Sequence, residues 1–307
     1  MKIRLSIVIC TYNRHAFLEN LLLKLAPQVY ASNDYEVLII DNNSADRTKE
    51  LAKKWVAKHP QIIKYFREPE QGLSHARNKG LSEAKGSWVA YIDDDAYPAD
   101  DWVYHLQKTI NSDAFDAFGG VYTPWYKDGK AYWFLDRFAT NKTWMPYEET
   151  VRIERTRFSG GNCAYRRSLL ADVKGFPTDV GMKGEKTGYG EEDFVQHAAI
   201  QKGYTLGFNP SLIIHHYVSP EKQTLKWFWQ QGWAKGNGYW AQANNTNTVA
   251  SLALIIALII PLCFKALALS FKQGDSQYYW QQSAAPLLRQ LGLQLGKIKS
   301  WFSSRSL

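Results

Sequence analysis

Asp93, Asp94 and Asp95 stand directly behind an apolar run in the stretch WVAYIDDDAYPADDW. Three adjacent carboxylates raise one another's pKa unless a positive partner sits among them, and a bound cation is the simplest partner. A solvated acidic turn is the plainer alternative. If a cation is held, carboxylate oxygens suit magnesium or manganese. A second acidic cluster, GEEDF, places Glu191, Glu192 and Asp193 at the start of a predicted helix. Acidic residues there also complement the helix dipole, so their presence alone does not establish chemistry.

The elements that must position these groups follow from hydrophobic periodicity. Apolar, β-branched runs at RLSIVIC, YEVLII, QIIKYF and GSWVAYI alternate with helical patterns at 15–26, 44–58 and 74–85. That alternation predicts βαβ units on a parallel sheet. Thr11, Asp41 and Asp93 each stand at the carboxyl end of a strand, the edge where open α/β sheets bind ligands. No G-x-G-x-x-G follows the first strand, and no G-x-x-x-x-G-K-[ST] occurs anywhere, so neither dinucleotide binding nor a P-loop is indicated. What remains is Tyr12, able to stack on a base; Asp41, able to accept from a base N–H; and the Asp cluster, able to hold a divalent ion on a diphosphate. Together they outline a nucleotide-diphosphate cleft. For Asp41 the competing role is local, because Ser44 in DNNSADRTKE is placed to cap the next helix.

Composition sets limits on these readings. With 307 residues and 45% hydrophobic content, the chain can bury a sizeable core. Its net charge of +8 is uneven: after residue 240, Lys265, Lys272, Arg289, Lys297, Lys299 and Arg305 face only Asp275. A basic tail argues for anionic lipid headgroups and against nucleic acid, whose partner surface should run along a folded groove. Cys10, Cys163 and Cys263 have neither zinc-ligand spacing nor the pattern of a disulfide framework, which fits a reducing compartment. The N-terminus MKIRLSIVICTYNR reads as a strand and not as a signal peptide.

SIVICTYNR (6–14), EVLIIDNNSADRT (36–48), QGLSHARNKGLSEAKG (71–86), VAYIDDD (89–95), GGNCAYRRSLL (160–170) and GYGEEDFVQHAAIQKGY (188–204) recur in order. Over residues 1–220 the chain thereby resembles a family 2 glycosyltransferase of GT-A fold. The resemblance implies an α/β, mostly parallel sheet flanked by helices, and inverting transfer of a sugar from a nucleotide-diphosphate donor to an acceptor hydroxyl. Carried over, Thr11, Tyr12, Asp41 and Arg77 hold the nucleoside; Asp93 and Asp95 form the DxD motif, with Asp94 beside them; and Asp95 touches Mg2+ or Mn2+. Arg77 can equally be a surface cation. The GEEDF carboxylates supply the base, with Asp193 preferred over Glu192. His215 and His216, closing SLIIHHYV, are candidate metal ligands, although strand alternation lets at most one reach the site. Cys10 replaces a frequent proline of the family. The stretch FWQQGWAKGNGYW lacks the Q-x-x-R-W signature of processive synthases, which implies one sugar per encounter. Trp125, Trp133 and Trp144 lie in a segment without a sharp motif, where acceptor contact and core packing compete.

The expected organisation is a catalytic domain over 1–240, divided into a nucleotide-binding half (1–110) and an acceptor half (111–240), followed by a hydrophobic and amphipathic helical tail over 241–307. Val249 to Phe264 carries no charge, yet sixteen residues are short for a span of roughly 20, and Pro261 should kink the helix. A single crossing would put the catalytic domain outside, so a re-entrant or interfacial segment at the cytoplasmic face of the membrane is expected. In PLLRQLGLQLGKIKSWF, Leu287, Leu288, Leu291, Leu295, Ile298 and Phe302 share one helical face, with Arg289, Lys297 and Lys299 available to headgroups; packing against the protein is the alternative. The function expected is synthesis of a cell-surface polysaccharide or glycolipid on a glycan or lipid-linked acceptor. The alternatives are a sugar nucleotidyltransferase, whose glycine- and lysine-rich N-terminal loop is missing, and a catalytically silent glycan- or membrane-binding GT-A-like module.

Overall fold

The computed structural model describes residues 3–29, 34–154, 157–184, 188–237, 248–270 and 276–303. The chain divides into two compact units, one of residues 1–125, 139–179 and 191–217, the other of residues 126–138, 180–190 and 218–307.

The first unit is built on β1 (Leu5–Thr11), β2 (Tyr35–Asp41), β3 (Ile63–Arg67), β4 (Trp88–Asp93), β5 (Ala96–Pro98), β6 (Ala117–Trp125), β7 (Val151–Ile153), β8 (Asn162–Arg166) and β9 (Leu206–Tyr217). They form one sheet in the order β3-β2-β1-β4-β8-β6-β9-β5, with β7 also on β9. The half carrying β1 to β4 is all parallel, as the alternating sequence pattern predicts. β8 runs antiparallel to both β4 and β6, while β6 and β9 are parallel. Helices α1 (His15–Val29), α2 (Thr48–Lys58) and α4 (Trp102–Ser112) cover one face; α3 (Leu73–Glu83), α5 (Arg167–Asp172) and α6 (Glu191–Gln201) cover the other. Because successive strand residues point to opposite faces, Leu5, Ile7 and Ile9 join the first core and Val8 the second. Burial on both faces explains why these strands read as continuous apolar runs.

Helix α2 starts four residues later than the pattern suggests. Ser44 does not cap it; its hydroxyl accepts from the Asn13 N–H instead. Asp46 supplies the acceptor for the first turn, taking the Thr48 N–H at 3.0 Å. The same carboxylate takes the His15 N–H at 3.1 Å and the His15 Nδ1 at 2.9 Å, so one side chain secures the starts of α1 and α2.

Within the second unit, α7 (Leu225–Gly236), α8 (Thr248–Ser270) and α9 (Ser276–Ser303) pack together. Glycines bring α7 and α9 into backbone contact: a Cβ at Gly292 would lie 2.5 Å from the Trp229 carbonyl oxygen, and one at Gly296 2.5 Å from that of Trp233. A cut at residue 240 therefore does not follow the packing, since α7 groups with the C-terminal helices. The packed alternative describes α9: Arg289 lies 4.5 Å over the Phe228 ring, and the Lys299 Nζ 5.5 Å over Trp233. Trp133 is buried beside Phe228, a core fate. Helix α8 continues through Pro261. Among the described residues no helix is long and apolar enough to cross a membrane. Residues 241–247, Lys272, Asp275 and Arg305 of the expected tail lie outside the described residues.

Candidate active site

The site is assembled at the carboxyl ends of β1 and β4, where Cys10 and Asp93 are register partners. Asp93 ends β4; Asp94 and Asp95 form the turn into β5. β5 pairs antiparallel with β9, setting Ala96 opposite His216, and the Tyr217 N–H donates to the Asp95 carbonyl at 2.9 Å. That pairing carries His216 to the acidic turn: its Nε2 lies 3.2 Å from Asp95 Oδ1 and 3.7 Å from Asp93 Oδ2. A bulge sets the approach, because three residues of β9 are passed over between Gly120 and Val121 of β6. Asn162 fills it, donating to the Val121 and Leu212 carbonyls at 2.9 and 2.8 Å.

Asp93, Asp95 and His216 each present one ligand atom within 4.8 Å of the others. His215 does not join them. Alternation turns it to the other face, where its Nδ1 lies 2.9 Å from the Thr123 hydroxyl and its ring lies tilted against Tyr97, 5.1 Å between centroids. Burial lowers its pKa, favouring a neutral packed ring. Of the two histidines proposed as ligands, only His216 is positioned for the role.

Two arginines flank the carboxylates. Arg14 Nη1 reaches Asp94 Oδ1 and Asp95 Oδ2, both at 3.0 Å. Arg77 is buried, 3.0 Å from Glu191 Oε1 and 4.0 Å from Asp93 Oδ1. Burial pushes the Asp94 carboxyl up despite the nearby Arg14 charge. The same desolvation, with Glu192 adjacent, raises Glu191. Arg14 was missed in the sequence, although three crowded carboxylates called for a cation and TYNR ends at the same sheet edge. Arg77 is not a surface cation; it is locked between carboxylates. A Cβ at Gly160 would meet its guanidinium, and one at Gly161 would fall on Asp93 Oδ2, so the GG pair makes room for both.

The other expected residues divide by place. Thr11 is buried at the end of β1 and Tyr12 is half-buried just after it. Asp41 is buried and already engaged: Oδ1 accepts from the Ser44 N–H and Oδ2 from the Tyr65 hydroxyl, both at 2.8 Å. Its carboxylate shapes its own turn before it meets any base. At the start of α6, Glu191 faces Arg77, and the half-buried Glu192 lies within electrostatic range of Arg77 and Glu191. Asp193 lies within electrostatic range of Arg157.

Five carboxylates (Asp93, Asp94, Asp95, Glu191, Glu192) share this place with two guanidiniums, and the buried Glu191 Oε2 has no hydrogen-bond partner. The surplus negative charge and the O, O, N donor set fit a divalent cation such as Mn2+ or Mg2+. Residues 6–174 match the family model described as Glycosyl transferase family 2. The chain belongs to glycosyltransferase family 2. Glycosyltransferase AglE of Haloferax volcanii is 29% identical over 222 residues, 72% of this chain and 69% of that one. The glucosyl-dolichyl phosphate glucuronosyltransferase of the same organism is 26% identical over 247 residues, 76% of each. Among solved structures, a mannosyltransferase from Pyrobaculum calidifontis in complex with GDP-Man and Mn2+ superposes with a TM-score of 0.64 at 21% identity, covering 99% of this chain and 88% of that one. S. aureus TarS 1–349 in complex with UDP-GlcNAc gives 0.52 at 17%, covering 99% and 92%. These likenesses identify the fold as GT-A.

Proposed function

We propose that the protein is an inverting, metal-dependent, non-processive glycosyltransferase that moves one sugar from a nucleotide-diphosphate donor to an acceptor hydroxyl. The observation that carries this reading is the convergence of Asp93, Asp95 and His216 beside the α6 carboxylates in a family 2 chain. These three would hold the divalent cation, whose contribution when bound is to neutralise charge on the departing diphosphate. Thr11 and Tyr12 would contact the nucleoside. Asp41 and Arg77 act one layer back, Asp41 by fixing the turn after β2 and Arg77 by holding Asp93 and Glu191. Glu192 would take the acceptor proton, being half-exposed where Glu191 is buried against Arg77. Asp193 is the alternative base.

A lipid-linked or glycan acceptor in cell-surface glycan synthesis is supported by the relative named for glucosyl-dolichyl phosphate. Attachment to a membrane surface is supported by α8, which exposes Leu252, Leu254, Ile256, Ile259, Ile260 and Phe264. Purified protein supplied with Mn2+ and a panel of nucleotide sugars should release nucleoside diphosphate. Pyrophosphate release from a nucleoside triphosphate and sugar phosphate would instead identify a nucleotidyltransferase, and no turnover of any kind a silent module.

A further inference from the structure

Trp144 is an exposed indole on a rigid mount. Its loop is fastened to β6 at Tyr122 and Gly120: the Tyr122 N–H donates to Asn141 Oδ1 at 3.1 Å, and the Tyr122 carbonyl accepts from the Thr140 hydroxyl at 2.8 Å. Asn141 Nδ2 also donates to the Gly120 carbonyl at 2.9 Å, and the next residue along the loop, Met145, is buried in the core. Despite this fastening on both sides, Trp144 keeps 45% of its surface open to solvent. A lone exposed apolar residue needs no explanation. This one has a position, because its ring lies 6.2 Å from that of Tyr122, which in turn lies 6.2 Å from the ring of His216. Two aromatic contacts therefore link the cluster of Asp93, Asp95 and His216 to an exposed indole. Trp125, by contrast, is packed among Phe17, Tyr97 and Tyr217.

We propose that Trp144, backed by Tyr122, is the acceptor-binding platform, and that the acceptor hydroxyl is carried on a pyranose, not on a bare lipid alcohol or a protein hydroxyl. This rests on the glycosyltransferase reading above. A sugar ring presents a face of axial C–H groups that packs on an indole while its hydroxyls stay free at the rim, and a rigid aromatic gives that contact little ordering cost.

The test uses the full chain with Mn2+ and the nucleoside diphosphate of its donor. Saturation-transfer NMR with methyl β-glucoside, methyl β-galactoside and methyl α-mannoside should show contact through one ring face for at least one of them. Trp144→Ala should abolish that signal and Trp144→Phe retain it. With a pyranoside acceptor, Trp144→Ala should raise the acceptor KM by tenfold or more while kcat falls less. Equal contact in Trp144→Ala, or none with any pyranoside in the unaltered protein, overturns the platform. Donor hydrolysis by the unaltered protein without acceptor reports on the glycosyltransferase reading separately, so the two can fail independently.

Discussion

At the residue scale the site is a problem of crowded charge, and each neighbour of the Asp triplet answers part of it. Arg14 serves Asp94 and Asp95, Arg77 serves Asp93 and Glu191, and the remaining negative charge makes room for a divalent ion. Because His216 is held by β9 and Asp95 by the turn between β4 and β5, removing either side chain should leave the sheet intact. Asp95→Asn and His216→Ala should each weaken Mn2+ binding at least tenfold by calorimetry, without a change in circular dichroism; undiminished binding would place the ion elsewhere. The carboxylates of α6 separate by what they face. Glu192→Gln should lower kcat by roughly 10²–10⁴-fold with donor affinity retained, as loss of a general base does. A larger loss in Asp193→Asn would restore the assignment the sequence favoured.

Elements are joined here by side chains that serve two masters, and Asp46 is the clearest. Burial alone would raise its pKa, but the bonds from Thr48 and His15 more than offset that and hold it at about 2. A free Asp titrates near 3.9, so the unfolded chain binds the proton first. The stability this carboxylate contributes is complete above about pH 4 and is lost as pH falls from there through about 2. Its size is on the order of 2 kcal/mol, from the shift between the two pKa values. Asp46→Ala should therefore lower the stability at pH 7 by about that amount and flatten the acid limb of the unfolding curve. An unchanged acid limb in denaturant titrations between pH 5 and 2 would contradict the double cap.

At the scale of the whole molecule, the question is what the C-terminal helices do. In the second unit α9 is bound to α7 through glycine-to-backbone contact, and Gly292→Leu should destabilise that packing by ~1–3 kcal/mol or more through overpacking. Among its described side chains helix α8 buries Ser251 and Ile255, half-buries Leu258, Pro261 and Leu262, and leaves Leu252, Leu254, Ile256, Ile259, Ile260 and Phe264 exposed. A lipid surface would cover it, at about 1.5–3 kcal/mol for each large side chain withdrawn from water. Leu252→Ser, Ile256→Ser and Ile260→Ser together should move the protein from the membrane fraction to the supernatant. Truncation before α8 is a poorer probe, because it would strip α9 from α7 as well. Persistence of the triple variant with membranes would assign the attachment to another surface.

The order of strands and helices was written in local periodicity, which is why β1 to β4 and α1 to α3 fall close to where the apolar runs place them. The identity of the acidic triplet, the GEEDF cluster and the paired histidines was equally legible, since residue type and chain order are properties of the sequence. Which histidine turns inward was decided by the pairing of β5 with β9 and by the bulge at Gly120, two long-range registers that no local pattern encodes. Tertiary contact likewise buried Asp41 in its own turn, paired the buried Arg77 with Glu191 more than a hundred residues away, and made Arg14 the partner of carboxylates some eighty residues away. Local sequence fixes backbone propensity and the alternation of faces; charge pairing across a sheet depends on which strands become neighbours, and only the folded chain determines that.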